Sequence, residues 1–160
     1  MPERILMSCE MNGTIVDRLG QYGAVCIDSM TVIYFLEENE RYLSVVRDLF
    51  SMVDQGRLFA FSSYLTLLEV LVKPLKDGRS DVVDEYKAIL CQARGFRLLP
   101  INGEIAEEGA RIRAQYGFRV PDALQLATAL CHTADAFVTN DRRLRQFDEL
   151  DVVLLEEYAA

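Results

Sequence analysis

Five short apolar runs, each bounded by turn-forming or capping residues, alternate with longer stretches whose apolar residues recur at helical spacing, and this alternation restricts the possible folds most. The runs are AVCI closing on Asp28, LFAF at 58–61, FRLLPI at 96–101, the strand in DAFVTND closing on Asp141, and a final VVLLE. Between them, TVIYFLEEN starts as helix. ERYLSVVRDLFSMVDQG carries Tyr42, Val46, Leu49, Phe50 and Val53 at helical spacing and stops at Gly56, a residue suited to a helix C-terminus. Ser62 and Ser63 can cap a helix through YLTLLEVLVK, which Pro74 is expected to end or bend. Further helices are predicted over 80–94, over GEIAEEGARIRAQYG and over PDALQLATALCHTA, where Pro is tolerated at the helix start, with a short one at RRLRQF. The pattern predicts an α/β fold with a mostly parallel sheet covered by helices on both faces. Ligands of such sheets collect at the carboxyl ends of strands, where Asp28 and Asp141 fall.

With 160 residues the chain fits one domain with a substantial core. No apolar run approaches the roughly 18–20 residues of a membrane span, and MPERILMSCE lacks a signal-peptide segment, so a cytoplasmic location is expected. Cys9, Cys26, Cys91 and Cys131 form no CxxC pair, and with the single His132 they give no zinc-site spacing. They are expected to be reduced and mostly buried, and His132 to lie on the surface. The net charge of −8 counts against a protein that grips nucleic acid with its whole surface. Any such contact must be local, and cations bound at a carboxylate-rich site would offset the charge where it is made.

Four acids stand out, each with an ordinary alternative role. Asp28 and Asp141 close apolar strands and could equally be helix caps. Glu69 sits within LTLLEVLV, where Thr66, Glu69 and Lys73 read as a polar stripe that could be merely solvated. Asp122 follows Pro121 in a first helical turn, where its charge suits the helix dipole. If the four converge, each close pair repels by roughly 1 kcal/mol in water and more at lower dielectric, so a cation is needed. Mg²⁺ or Mn²⁺ suits an all-oxygen donor set, and such a site supports phosphodiester cleavage without a His or Cys nucleophile.

In order and context these acids resemble those of the PIN-domain family, especially its VapC-like toxin branch. VCIDSMTVIYFLEE is similar to the family's opening strand with its first Asp, SSYLTLLEVL to its helix with Glu, VPDALQLATAL to the segment of its third acid, and AFVTNDRRLRQF to its TxD segment, the most specific piece. The resemblance spans 24–156. It implies a three-layer sandwich with a five-stranded sheet of order 3-2-1-4-5, an N-terminal extension at 1–22 and the PIN domain at 23–160. Carried over by position, Asp28, Glu69, Asp122 and Asp141 would be the catalytic, metal-binding acids, with Thr139 orienting them or meeting substrate. Arg142, Arg143 and Arg145 follow the last acid, where at least one could meet a phosphate, Arg142 and Arg143 being the candidates, and the alternative is a solvated basic turn. The resemblance further implies a Mg²⁺- or Mn²⁺-dependent endoribonuclease, the toxin of a toxin–antitoxin pair, acting on RNA as a homodimer held by an antitoxin protein, with no membrane partner. Two alternatives are a PIN-fold interaction or nucleic-acid-binding module without catalysis, and a haloacid dehalogenase-type phosphatase. The phosphatase needs a second Asp two residues after the first, where this chain has Met30.

Overall fold

The structure, a computed structural model, describes residues 13–160. Cys9 and the greater part of the extension read at 1–22 lie outside the described residues. The elements run in chain order: α1 (Ile15–Leu19), β1 (Ala24–Ile27), α2 (Ser29–Leu36), α3 (Leu43–Asp54), β2 (Phe59–Ser63), α4 (Tyr64–Lys76), α5 (Ser80–Gln92), β3 (Phe96–Leu99), α6 (Gly103–Tyr116), α7 (Val120–Cys131), β4 (Ala136–Thr139), a 3₁₀ turn (Arg142–Gln146), β5 (Asp151–Leu154) and a closing 3₁₀ turn (Leu155–Glu157).

The five strands form one all-parallel sheet in the order β3-β2-β1-β4-β5. Side chains alternate across it, as the pleat requires. Val25, Ile27, Ala136 and Val138 face the layer of α1–α5, while Cys26, Phe61 and Phe137 face α6 and α7. Both faces are therefore covered, which is why the strands read as continuous apolar runs. Within 13–22, Ile15 and Leu19 of α1 are buried in the α1–α5 layer, and Thr14 caps that helix reciprocally with Asp17. Gly95 enters β3 at φ +70, and a Cβ there would stand 2.7 Å from the Val53 carbonyl oxygen, so this position requires glycine.

Two sequence expectations change here. Pro74 does not itself end α4: its ring is buried and the helix runs on to Lys76, ending before Gly78 at φ +66. One missing backbone donor is outweighed by packing of the ring. Of the three described cysteines only Cys26 is buried, whereas Cys131 is half-buried and Cys91, on the outer side of α5, is exposed. Helical phase, rather than the usual burial of thiols, sets the exposure of Cys91. Among the described residues no helix is long and apolar enough to cross a membrane.

Candidate active site

The pairing of β1 with β4 brings the first and last acids together. Asp28 follows β1 and caps α2, its Oδ1 accepting from the Met30 N–H at 2.6 Å. Its Oδ2 accepts from the Thr139 hydroxyl at the end of β4. The same Thr139 oxygen accepts from the Asp141 N–H at 3.1 Å, so one buried side chain fixes both strand ends. Thr139 is fully buried, which corrects its candidacy as a substrate contact: it can position the acids, but nothing outside can touch it. Asp141 caps the 3₁₀ turn after β4, accepting from the Arg143 N–H at 3.0 Å. Capping and membership of the site are thus compatible, because a cap engages only part of a carboxylate.

Asp122 lies in the first turn of α7 and Glu69 in α4, half-buried. All four acids line one concavity of about 310 Å³ at the carboxyl edge of the sheet, together with Ser29, Met30, Arg119, Pro121, Gln125 and Phe137. Four separate elements supply the acids. Burial pushes the Asp28 carboxyl up to about 6, with the Asp122 charge acting in the same direction against the hydrogen bonds from Thr139 and Met30. Partial burial also raises Asp122, against the pull of Arg119 and with a push from Asp141. Asp141 is lowered, chiefly because the Arg143 guanidinium bonds to its carboxylate, Nε to Oδ1 at 3.0 Å.

As the side chains lie, no three acid, His or Cys groups among the described residues converge on one point that would hold an ion. Two guanidiniums divide the acids: Arg143 is drawn to Asp141 and lies 3.9 Å from Asp122, and Arg119 pairs with Asp122 at 3.5 Å. Arg142, the neighbouring phosphate-contact candidate, turns the other way and pairs with Glu156, outside the concavity. Successive residues of a 3₁₀ turn leave it about a third of a turn apart, which suits the separate partners of Arg142 and Arg143. His132 is exposed at the far end of α7, beside the Phe61 ring.

Beneath the acids lies a buried polar network that the sequence reading missed. The Gln125 amide nitrogen donates to Thr66 Oγ1 at 2.8 Å and to Ser29 Oγ at 3.2 Å, and its oxygen accepts from Ser63 Oγ at 2.9 Å. Ser29 and Ser62 bond to Thr66 at 2.9 and 2.6 Å. Thr66 is therefore no part of a solvated stripe with Glu69 and Lys73; it is fully buried where α4 meets α2 and α7. Ser29 follows Asp28, Thr66 precedes Glu69 by one helical turn, and Gln125 follows Asp122 by one turn, so one network ties together the elements bearing three of the acids. A polar amide inside the apolar run LQLATAL was the available signal for Gln125. For Arg119, the other omission, the only hint was its place three residues before Asp122.

The model of the PIN domain family matches residues 25–150. Comparison with curated proteins returned no match. Among solved structures, VapC20 of Mycobacterium tuberculosis, described as a sarcin-ricin loop cleaving toxin, superposes with TM-score 0.65 at 11% identity over 81% of this chain and 98% of its own. FitAcB from Neisseria gonorrhoeae gives 0.61 at 21% identity over 82% and 98%. A toxin–antitoxin complex from Klebsiella pneumoniae gives 0.59 at 21% identity over 82% and 97%. At these identities the structures establish likeness of fold.

Proposed function

The chain belongs to the PIN-domain family, and from that membership and the site's geometry we propose that it is a metal-dependent endoribonuclease, the toxin of a toxin–antitoxin pair. The observation that carries this reading is the meeting of Asp28, Glu69, Asp122 and Asp141, from four elements, around one concavity of about 310 Å³. Oxygen-only donors suit Mg²⁺ or Mn²⁺. The donor set fits such an ion, since Asp28 is a buried carboxylate with no cationic partner among the described residues. Asp122 and Asp141 would join it by turning away from Arg119 and Arg143. When bound, the ion supplies an activated water and stabilises charge on the phosphate.

The chain's own residues do the rest. Asp28 is held by Thr139 and by the α2 cap, so its carboxylate is oriented before any ligand arrives. Asp141 is placed by the same threonine, and the Ser29–Thr66–Gln125 network fixes the helices carrying Glu69 and Asp122. Arg143, at the edge of the acids, is available to a substrate phosphate once the carboxylates are taken. VapC20 is described as a sarcin-ricin loop cleaving toxin, and the Klebsiella pneumoniae structure as a toxin–antitoxin complex. These likenesses support RNA as substrate and an antitoxin as partner for this chain.

The reading is tested by cleavage of labelled RNA with Mn²⁺, with Mg²⁺ and with chelator. Asp141→Asn is expected to lower the rate at least about a hundredfold, since a lost ligand should cost more than a lost supporting group. Asp148→Asn should cleave nearly as wild type, because Asp148 lies outside the concavity and Asn can still accept from its partner Tyr116. Equal rates in Asp141→Asn and wild type would refute the site and favour a module without catalysis.

We also propose a homodimer. Tyr64, Leu68, Val72 and Leu75 are exposed along successive turns of α4, an apolar stripe that pairing of two copies would cover. Light scattering at micromolar concentration should give twice the chain mass of 18.2 kDa; a monomer there would refute it.

A further inference from the structure

A second concavity, of about 180 Å³, adjoins the pocket of acids. Arg119 and Asp122 line both, and Tyr116, Gly117, Phe118, Arg143, Leu144 and Gln146 complete the second. Its two arginines differ from the others nearby. Arg113 is engaged with the Phe118 carbonyl at 2.9 Å, Arg111 with Glu108 and Glu149, Arg142 with Glu156 and Arg145 with Glu157. Arg119 and Arg143 are instead paired with Asp122 and Asp141, the acids a cation would claim.

Those pairs are easily exchanged. The Arg119 and Arg143 side chains are 69% and 56% exposed, and ion pairs this open to water contribute little. With a divalent cation held by Asp122 and Asp141, both guanidiniums would lose these oxygens to a partner of twice their charge. Once released, two fork-shaped donors stand at the wall between the pockets, where a strand leaving the acids would place its next phosphate. The remainder of the groove suits a base. Gly117 sits at φ +74 with open space where a side chain would be, the half-buried Tyr116 ring borders that space while stacking on the buried Phe118 ring with centroids 5.3 Å apart, and Gln146 is exposed. In a chain of net charge −8, Arg119 and Arg143 freed of Asp122 and Asp141 would give the local positive charge that RNA contact needs.

We propose that this second groove is the subsite for the nucleotide adjoining the scissile phosphate of single-stranded RNA, and that Arg119 and Arg143 bind its phosphate after metal releases them from Asp122 and Asp141. The inference rests on the nuclease reading above. Binding is thereby ordered, metal before RNA, and each arginine has two successive partners.

The test is steady-state cleavage of a short, unstructured, labelled RNA by the full chain, with Mn²⁺ affinity measured separately by electron paramagnetic resonance. Arg119→Ala is expected to raise KM roughly tenfold with kcat little changed, as loss of one charge-assisted phosphate contact should. The dependence of log KM on log salt should flatten by about 0.7, the contribution of one phosphate on a single strand. Mn²⁺ should bind Arg119→Ala at least as tightly as wild type, because a competitor for Asp122 is gone. Arg119→Lys should restore most of the salt dependence. An unchanged KM and salt slope in Arg119→Ala, beside a wild type that cleaves RNA, would overturn the subsite alone. Weaker Mn²⁺ binding with a fallen kcat would also overturn it, by assigning Arg119 to the metal site. A wild type that cleaves no RNA with Mn²⁺ bound would overturn the nuclease reading and the subsite together.

Discussion

Asp28→Asn is expected to abolish metal-dependent cleavage and, in the absence of metal, to gain stability relative to wild type as pH rises from about 4 to 7. The wild-type carboxyl is raised from 3.8 to about 6 in the folded chain, mainly by burial. Below about 3.8 it is protonated whether the chain is folded or not, so its ionisation carries no penalty. Between the two values the unfolded chain ionises first, and above about 6 the folded chain holds a buried charge. Stability contributed by the neutral carboxyl is therefore complete at low pH and lost as pH passes 6. The displacement corresponds to about 3 kcal/mol at most, and Asn, which does not ionise, is spared it. Urea denaturation in chelator at both ends of this range measures the difference. A stability gap between the two proteins that does not change with pH would show that Asp28 is not buried as a lone charge.

The same charge makes a prediction about ligands. Metal and proton compete for Asp28, so added Mn²⁺ should stabilise wild type strongly above pH 6 and progressively less below it. Asp28→Asn should gain little from Mn²⁺ at any pH. Stabilisation of that variant equal to wild type would place the ion elsewhere.

Gln125→Leu is expected to lower stability by about 2–4 kcal/mol, a large effect for a substitution of similar volume. Leu removes the donor to Thr66 and Ser29 and the acceptor for Ser63, in a region where every partner is buried. Ser29, Ser62 and Thr66 retain bonds to one another, but Ser63 loses the acceptor of its hydroxyl. Because the network joins α2, α4 and α7, cleavage should fall further than the unfolded fraction explains, with Glu69 and Asp122 no longer held in register. Urea denaturation beside cleavage under conditions where the variant is fully folded separates the two effects. A loss below about 1 kcal/mol would mean that the serines and threonine satisfy one another without the amide.

Much of the architecture is set by local pattern. Strand runs such as AVCI and AFVT are apolar throughout because both faces of a parallel sheet are covered, and the helices between them carry their own period, so the sheet and its connections follow from short-range constraints. The placement of Asp28 and Asp141 is legible for the same reason: a residue that ends a parallel strand and caps the next helix stands at the carboxyl edge whatever lies opposite. Other features depend on contacts between distant parts of the chain. Thr66 shares a helical face with Glu69, yet α2 and α7 close over it, and only the meeting of three helices makes it a buried partner of Gln125, 59 positions away. Pro74 stays within α4 because its ring finds a buried site, and helical phase against the core leaves Cys91 exposed. Among Arg119, Arg142 and Arg143, equal in composition and near in sequence to the acids, the sequence determines the charge of each. The tertiary structure decides that Arg142 meets Glu156 while the other two turn to Asp122 and Asp141, because the direction of a long side chain is set by which carboxylates the fold brings within reach.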